Sequence, residues 1–228
     1  MQVTQATATS PISTMVISLA TSEHIIQDFR NLVFEQYRMR DWLDKEQHEE
    51  GTITDKFDPS SDILVVQSGE EVVAGMRIVK DSPFGFPHEN LLRLDQFHPD
   101  GYYEKPILRK LATTSRRSMG EITKLAGKKR QRFLTIDLAK CIYWYAKHSN
   151  VDLYLMVVDM DFFQLCFKLG IPIDPIGVPV LCEGSWTIPA VIDPLRFEVE
   201  ISQKNQNNWD YIKEPSNIRG RLQDVMKN

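Results

Sequence analysis

Hydrophobic residues recur at two different periods in the first third of the chain. Apolar side chains recur at spacings of three and four residues in the set Ile25, Ile26, Phe29, Leu32, Val33 and Tyr37. This spacing predicts an amphipathic helix that Thr21 or Ser22 caps. An acidic loop follows, and then two β-rich runs flank Ser68-Gly69-Glu70. They predict a hairpin that turns around Gly69.

The middle of the chain has the order strand, basic loop, helix. Residues 120–126 alternate apolar and polar positions well enough for a strand, and residues 132–150 place Leu134, Leu138, Cys141, Ile142 and Tyr145 on one helical face. The continuous apolar run at 151–158 is typical of a strand buried on both faces.

Turn and cap residues mark the elements that follow this buried strand. Asp159 or Asp161 is expected to cap a short helix, which Gly170 ends. The β-like runs within residues 178–201 are interrupted by proline, so we expect them near a sheet edge.

The order of these elements predicts one mixed α/β (α+β) domain built on a single sheet. A chain of 228 residues can bury a sizeable core. We expect a loose tail at residues 1–18, one domain at 19–203 and a weakly packed polar extension at 204–228.

Charge is concentrated in one segment. The net charge of -4 argues against general nucleic-acid binding. Residues 104–132 nevertheless contain ten Lys or Arg and two Glu. Such a cluster is expected to steer an anionic partner, and a solvated charge run is the alternative.

Cysteine usage and the absence of long apolar runs favour a cytoplasmic protein. Cys141, Cys166 and Cys182 show no C-x-x-C spacing and are expected to be reduced. The opening residues resemble neither a signal peptide nor an anchor. No apolar run approaches the roughly 20 residues of a membrane span.

Several common catalytic signatures are missing from the sequence. It contains no P-loop, dinucleotide fingerprint or G-x-S-x-G motif, and its five histidines show no metal-ligand spacing. We therefore expect no metal and no permanently bound cofactor.

Glu121 and the basic loop after it are the strongest local candidates for chemistry. A lone acid in an apolar strand needs a partner or a role. The loop and the helix start beyond it can hold a phosphate. Its basic residues are Lys128, Lys129, Arg130 and Arg132.

The other charged and aromatic residues of interest form an ordered series, although each alone has an ordinary structural explanation. The series resembles the acyl-homoserine-lactone synthases and the related long-chain N-acyl amino acid synthases of the GNAT acyltransferase superfamily. The matching positions are Arg30-x-x-x-Phe34, Trp42, Asp55-x-x-Asp58, Gly75-x-Arg77 and Glu121-x-x-Lys124-Leu-Ala.

The resemblance implies a GNAT-like fold with two splayed parallel strands in a central mixed, twisted sheet flanked by helices. It implies transfer of an acyl group from a thioester to an amine. Glu121 matches the general base, and backbone amides near Leu125 and Ala126 would stabilise the oxyanion.

The resemblance also assigns the acceptor site. Arg30, Asp55, Asp58 and Arg77 match a charged network around the acceptor, while Phe34 and Trp42 match aromatic positions lining the same cleft. Either arginine is a candidate partner for an acceptor carboxylate. Lys124 replaces an arginine of the lactone synthases, which favours an amino acid over S-adenosylmethionine.

The basic loop then suggests the acyl donor. Lys128, Lys129, Arg130 and Arg132 would receive acidic acyl carrier protein and the phosphate of its acyl-phosphopantetheine. The loop lacks the Q/R-x-x-G-x-G/A pattern of acetyl-CoA enzymes, which favours the carrier protein over acyl-CoA.

The sequence therefore predicts an N-acyltransferase that moves a medium or long fatty acyl group from acyl carrier protein to the α-amine of an amino acid. Alternatives are a lactone synthase that uses S-adenosylmethionine, an acetyl-CoA N-acetyltransferase, and a non-catalytic module that binds the acyl chain or its carrier.

Overall fold

A single sheet organises the computed structural model, which describes residues 15–43, 53–89, 106–128, 132–182 and 185–222. Within these residues, eight strands pair in the order β1-β2-β3-β4-β5-β8-β6, and β7 also pairs with β8. The strands are β1 (Met15–Leu19), β2 (Ser61–Ser68), β3 (Glu71–Val79), β4 (Met119–Gly127), β5 (Leu153–Asp159), β6 (Ile173–Pro175), β7 (Val180–Cys182) and β8 (Ser185–Ile192).

Helices cover both faces of the sheet. They are α1 (Glu23–Met39), α2 (Pro106–Thr113), α3 (Arg132–Ser149), α4 (Met160–Leu169), α5 (Phe197–Lys204) and α6 (Gln206–Lys213). The alternation of β2 shows the two faces, because Val65 packs with the α1 side chain Phe29, whereas Leu64 and Val66 pack with α3.

The predicted caps and turns are confirmed. The Ser22 side chain accepts a hydrogen bond from the Ile25 N–H and caps α1. Gly69 turns the β2–β3 hairpin at a φ of 63°. Asp159 caps α4 by accepting from the Phe162 N–H at 2.8 Å, and Gly170 ends that helix at a φ of 82°.

The parallel strands β4 and β5 pair over only part of their length. Their ladder runs from Met119–Leu153 to Ile122–Met156 and then stops. Both strands continue beyond this point, β4 to Gly127 and β5 to Asp159. The strands therefore separate in the second half of β4, as the resemblance implied.

The proline-interrupted runs lie near a sheet edge, as predicted, with β7 at the edge and β8 next to it. This strand pairs with β5 on one side and with β6 and β7 on the other. The Pro189 carbonyl accepts a hydrogen bond from the Ile176 N–H. This bond lies on the side of β8 where its partner changes from β6 to β7. The nitrogen and the carbonyl of one strand residue point to the same side of the strand. The backbone N–H that Pro189 lacks would therefore lie at this change of partner.

Both ends of the described chain pack more firmly than expected. Residues 15–18 belong to the expected loose tail, but they form part of β1, which pairs with β2, and Ile17 is fully buried. The expectation of weak packing is also wrong for the described part of residues 204–228. Trp209 and Ile212 are buried, and Trp144 of α3 donates to the Ile212 carbonyl at 2.9 Å.

Two further predictions concern the core and the membrane. Cys141 and Cys166 are free thiols in the core, and burial raises the pKa of each. Among the helices described, none has the length and apolar character needed to cross a bilayer.

Gly75 of β3 permits the close approach of α1. A Cβ atom added here would lie 2.7 Å from both the Leu64 carbonyl oxygen and the Phe29 ring. We predict that Gly75→Ala lowers the free energy of unfolding by about 1–3 kcal/mol, because both neighbours must shift. Urea unfolding measures the loss.

Gly127→Ala is the matched control, since its added Cβ would find its nearest atoms at 3.6 Å. Equal stability of the two variants would contradict the close-approach explanation.

Candidate active site

The separation of β4 and β5 opens a cavity of about 320 Å³. Residues Ile122 to Gly127 of β4 form one wall, and Met156 to Asp159 of β5 form another. The remaining lining residues are Gln36, Tyr37, Arg40, Trp42, His88, Leu134, Thr135, Leu138, Asp161, Phe162, Leu165, Ser185 and Thr187. A cavity of this size lies within the usual range of ligand pockets.

The lining combines an apolar surface with charged groups. Leu134, Leu138, Met156, Phe162 and Leu165 supply apolar side chains from α3, β5 and α4. Charged side chains of both signs also line the cavity. This combination suits a ligand with an apolar portion and a polar end.

The end of α1 forms an aromatic and cationic wall. Trp42 contacts Tyr37 edge-on, with ring centroids 5.5 Å apart. The Arg40 guanidinium lies 4.6 Å from the Trp42 ring centroid and 3.4 Å from Asp159. Trp42 therefore forms part of the cavity lining.

A bulge in β4 shapes the cavity wall. Gly75 and Arg77 of β3 pair with Ala126 and Thr123, so two residues of β4 lie opposite one of β3. Lys124, inside this bulge, has a φ of 50°, which is uncommon for a residue other than glycine. Leu125 and Ala126 come directly after it and line the cavity.

A buried charge network adjoins the bulge. Arg77 is 2% exposed, and its Nη1 donates to Asp55 at 2.6 Å and Asp58 at 2.5 Å. Its Nε donates to the Thr123 hydroxyl at 2.8 Å. Lys124 Nζ donates to the Ile53 carbonyl at 2.8 Å and lies 3.2 Å from Asp58.

The network shifts the pKa of two members. Burial, with the nearby charge of Arg77, lowers the pKa of Lys124. Burial alone would raise the pKa of Asp55, but the hydrogen bond and charge of Arg77 and the charge of Lys124 outweigh it, so this pKa is lowered. Asp55 is thus ionised at neutral pH.

The predicted acceptor residues divide into two groups. Trp42 and Lys124 line the cavity, whereas Arg30, Asp55, Asp58 and Arg77 lie in the network behind Lys124 and are not among the lining residues. Arg30 contacts the network through Asp58, at 3.6 Å, and also pairs with Glu23 of α1 at 3.2 Å. Phe34 is half-buried on α1 and does not line the cavity either.

Glu121 lies in the paired part of β4, fully buried and outside the cavity lining. Its carboxylate accepts from the His88 N–H at 3.1 and 3.2 Å and also contacts His88 Nδ1. His88 does line the cavity. The sequence gives no signal for His88, because a histidine in an irregular Pro/Gly-rich segment has no periodic relation to an acid 33 residues away.

The predicted carrier-binding residues lie at and beyond the end of β4. Lys128 is 42% exposed and pairs with Glu71 of β3. Arg132 is the first residue of α3, while Lys129 and Arg130 lie outside the described residues. In the described ranges, no group of three or more His, Cys, Asp or Glu is arranged to hold a metal ion.

A comparison with protein-family models identifies one family. The family model described as N-acyl amino acid synthase FeeM matches residues 28–192. None of the curated proteins compared with this sequence matches it significantly.

Solved structures share the fold. FeeM, an N-acyl amino acid synthase from uncultured soil microbes, aligns with a TM-score of 0.60 at 14% identity, over 82% of this chain and 93% of that chain. The acyl-homoserine-lactone synthase LasI gives 0.60 at 12%, over 80% and 91%. The CoA-dependent lactone synthase BjaI, solved with MTA, gives 0.62 at 14%, over 94% and 100%. The expected GNAT-like fold is therefore confirmed.

The network centred on Arg77 generates a stability prediction. We expect Arg77→Met to lower the free energy of unfolding by about 2 kcal/mol or more, because Asp58 and the half-exposed Asp55 lose their main buried cation. Chemical unfolding monitored by circular dichroism measures the loss.

Arg116→Met is the control for Arg77→Met. Arg116 also pairs with two carboxylates, Asp81 and Glu89, but its side chain is 42% exposed. Solvent screening should keep its loss below about 1 kcal/mol. A loss for Arg77→Met no larger than this would show that the network contributes little to stability.

Proposed function

The chain belongs to the FeeM family of N-acyl amino acid synthases, and from this premise we propose that it transfers a medium or long fatty acyl group from acyl carrier protein to the α-amine of an amino acid. Family membership makes the protein an N-acyltransferase. The observation that supports the finer proposal is the cavity between the separated strands, which combines apolar walls with charges of both signs.

The apolar walls suit a fatty acyl chain. Met156, Phe162 and Leu165 lie on the β5 and α4 side of the cavity, and Leu134 and Leu138 lie on the α3 side. Each methylene buried against such walls contributes about 0.8 kcal/mol to binding. Longer chains would therefore bind more tightly until the cavity is full.

The bulge of β4 suits the stabilisation of an oxyanion. When an amine attacks a thioester, negative charge develops on the carbonyl oxygen, and fixed N–H donors stabilise it. Leu125 and Ala126 line the cavity beyond the last β4–β5 pair, where the parallel ladder no longer engages their backbone. They match the predicted oxyanion donors.

The charged part of the lining suits an amino acid, which has a carboxylate and an amine. Lys124 and Arg40 offer positive charge, and Asp159 and Asp161 offer negative charge. In this proposal Lys124 attracts the acceptor carboxylate, while Arg30, Asp55, Asp58 and Arg77 hold Lys124 in place rather than contacting the acceptor directly.

Acyl carrier protein is our preferred donor because of the basic segment that ends β4 and begins α3. In the sequence, Lys128, Lys129, Arg130 and Arg132 form a cationic run directly after Gly127, which lines the cavity. A negatively charged carrier would be attracted to such a run. We place the reaction in the cytoplasm, which agrees with the free thiols of Cys141 and Cys166.

Lactone synthesis from S-adenosylmethionine is the second candidate. It is supported by the structural likeness to LasI and to BjaI, which was also solved with SAM and isopentyl-CoA. BjaI is described as CoA-dependent, so acyl-CoA is the alternative donor to be tested.

Product analysis tests the proposal directly. The purified protein would be incubated with acetyl-CoA and with acyl carrier proteins or CoA carrying eight- to sixteen-carbon chains, together with the twenty amino acids and S-adenosylmethionine. We expect mass spectrometry to detect an N-acyl amino acid formed from the carrier-bound donors. An acyl-homoserine lactone would support the second candidate, and acetyl transfer alone would overturn the fatty acyl assignment.

The docking of the carrier generates a separate prediction. We expect Lys128→Glu with Arg132→Glu to weaken binding of acyl carrier protein at low salt, and the difference from wild type should shrink as salt screens the charges. Fluorescence anisotropy of a labelled carrier measures the affinity.

The matched control for this charge reversal is Lys213→Glu with Arg38→Glu, which changes two exposed cations elsewhere. Equal carrier affinity of the two double variants at low salt would rule out the docking site at the end of β4.

A further inference from the structure

Glu121 is separated from the cavity by His88. The Glu121 side chain is 0% exposed, and its carboxylate accepts hydrogen bonds from the His88 backbone N–H. The same carboxylate contacts His88 Nδ1. Only His88 of this pair lines the cavity, with its side chain 35% exposed. A ligand in the cavity therefore meets the imidazole and not the Glu121 carboxylate.

The contact with Glu121 fixes the protonation pattern of a neutral His88 ring. A carboxylate accepts hydrogen bonds, so Nδ1 is the nitrogen that carries the hydrogen. The lone pair then lies on Nε2, the nitrogen that does not contact Glu121. A histidine oriented in this way by a buried acid has the arrangement of a general base.

The segment around His88 is anchored on both sides. Phe86 is 4% exposed and packs in an apolar cluster with Leu153 and Leu155 of β5. Glu89 pairs with Arg116 at 2.7 Å, and the Arg116 guanidinium lies 4.9 Å from the Phe86 ring centroid. These contacts hold the imidazole at the cavity although it lies outside a helix or strand.

We propose that His88 Nε2 takes the proton of the attacking amine, with Glu121 as the positioning residue that holds the imidazole through Nδ1. This assignment rests on the proposed acyl transfer and adds a residue to it. It also gives Glu121 a different role from the direct general base implied by the family resemblance.

In the proposed step, one proton moves from the amine to the departing thiolate through His88. The nitrogen of a neutral amine forms a bond to the thioester carbon, and the carbonyl oxygen becomes an oxyanion. His88 Nε2 accepts one N–H proton. The oxyanion then reforms the carbonyl, the C–S bond breaks, and the departing thiolate takes the proton from the imidazolium. The products are the amide and the free thiol, and His88 returns to its neutral form.

Kinetics of three variants test the roles, with the donor and acceptor that the wild type uses. We expect His88→Gln to lower kcat by about 10²- to 10⁴-fold and Glu121→Gln by about 10²-fold, with KM changed little in both. His88→Ala should regain several-fold activity when imidazole is added, because free imidazole can occupy the vacated space. Glu121→Gln should gain nothing from imidazole, since its own ring is still present.

His24→Gln is the matched control, because His24 also pairs with a carboxylate, Asp28, at 2.9 Å. That side chain is 82% exposed on α1, away from the cavity, so turnover should stay at the wild-type level. Circular dichroism establishes that every variant is folded.

Nuclear magnetic resonance of the ¹⁵N-labelled ring gives a readout independent of turnover. We expect the Nδ1–H tautomer of His88 in the wild type and its loss or mixing in Glu121→Gln. A wild-type ring protonated at Nε2 alone would overturn the assignment.

The outcomes separate this inference from the proposed function. An active wild type together with a folded His88→Gln of equal kcat would overturn the role of His88 and leave the acyl transfer standing. A wild type inactive with every donor and acceptor pair would overturn both.

Discussion

One additional residue in β4 determines how the cavity is built. Residues four apart in a regular strand point to the same face. Ile122, however, packs with Leu134 and Leu138 of α3, whereas Ala126 packs with Phe29 of α1 on the opposite face. The bulge at Lys124 reverses the alternation between them. It therefore directs the Lys124 side chain toward Asp55 and Asp58 while leaving the backbone after it beside the separated strand β5.

The bulge requires electrostatic support, because Lys124 has a positive φ and a largely buried ammonium group. Arg77, which pairs with Thr123 across the β3–β4 ladder, holds Asp55 and Asp58 where they can balance both cations. The network thus has a structural role, and through Lys124 it reaches the cavity. A buried charge without such partners would cost several kcal/mol.

A second charged pair lies on the same strand, three residues before Lys124. Glu121 is still within the paired part of β4, next to Val79 of β3 and Leu155 of β5, and its side chain is fully buried. His88 supplies the hydrogen bonds and connects this acid to the cavity. Strand β4 therefore contributes three elements to one site: a buried acid, a cation and the backbone of the bulge.

The sequence alone determined the local structure, because caps, turns and apolar periods act over a few residues. Ser22, Gly69, Asp159 and Gly170 each mark an element end that the structure confirms. The ordered series of charged and aromatic residues also led to the family. Which of those residues share a cavity depends on the tertiary structure, since ladder ends, the bulge and the contact between His88 and Glu121 join segments distant in sequence. Proline in residues 178–201 indicated the neighbourhood of a sheet edge, but the pairing of β8 with β5, β6 and β7 is non-local and could not be read from the sequence.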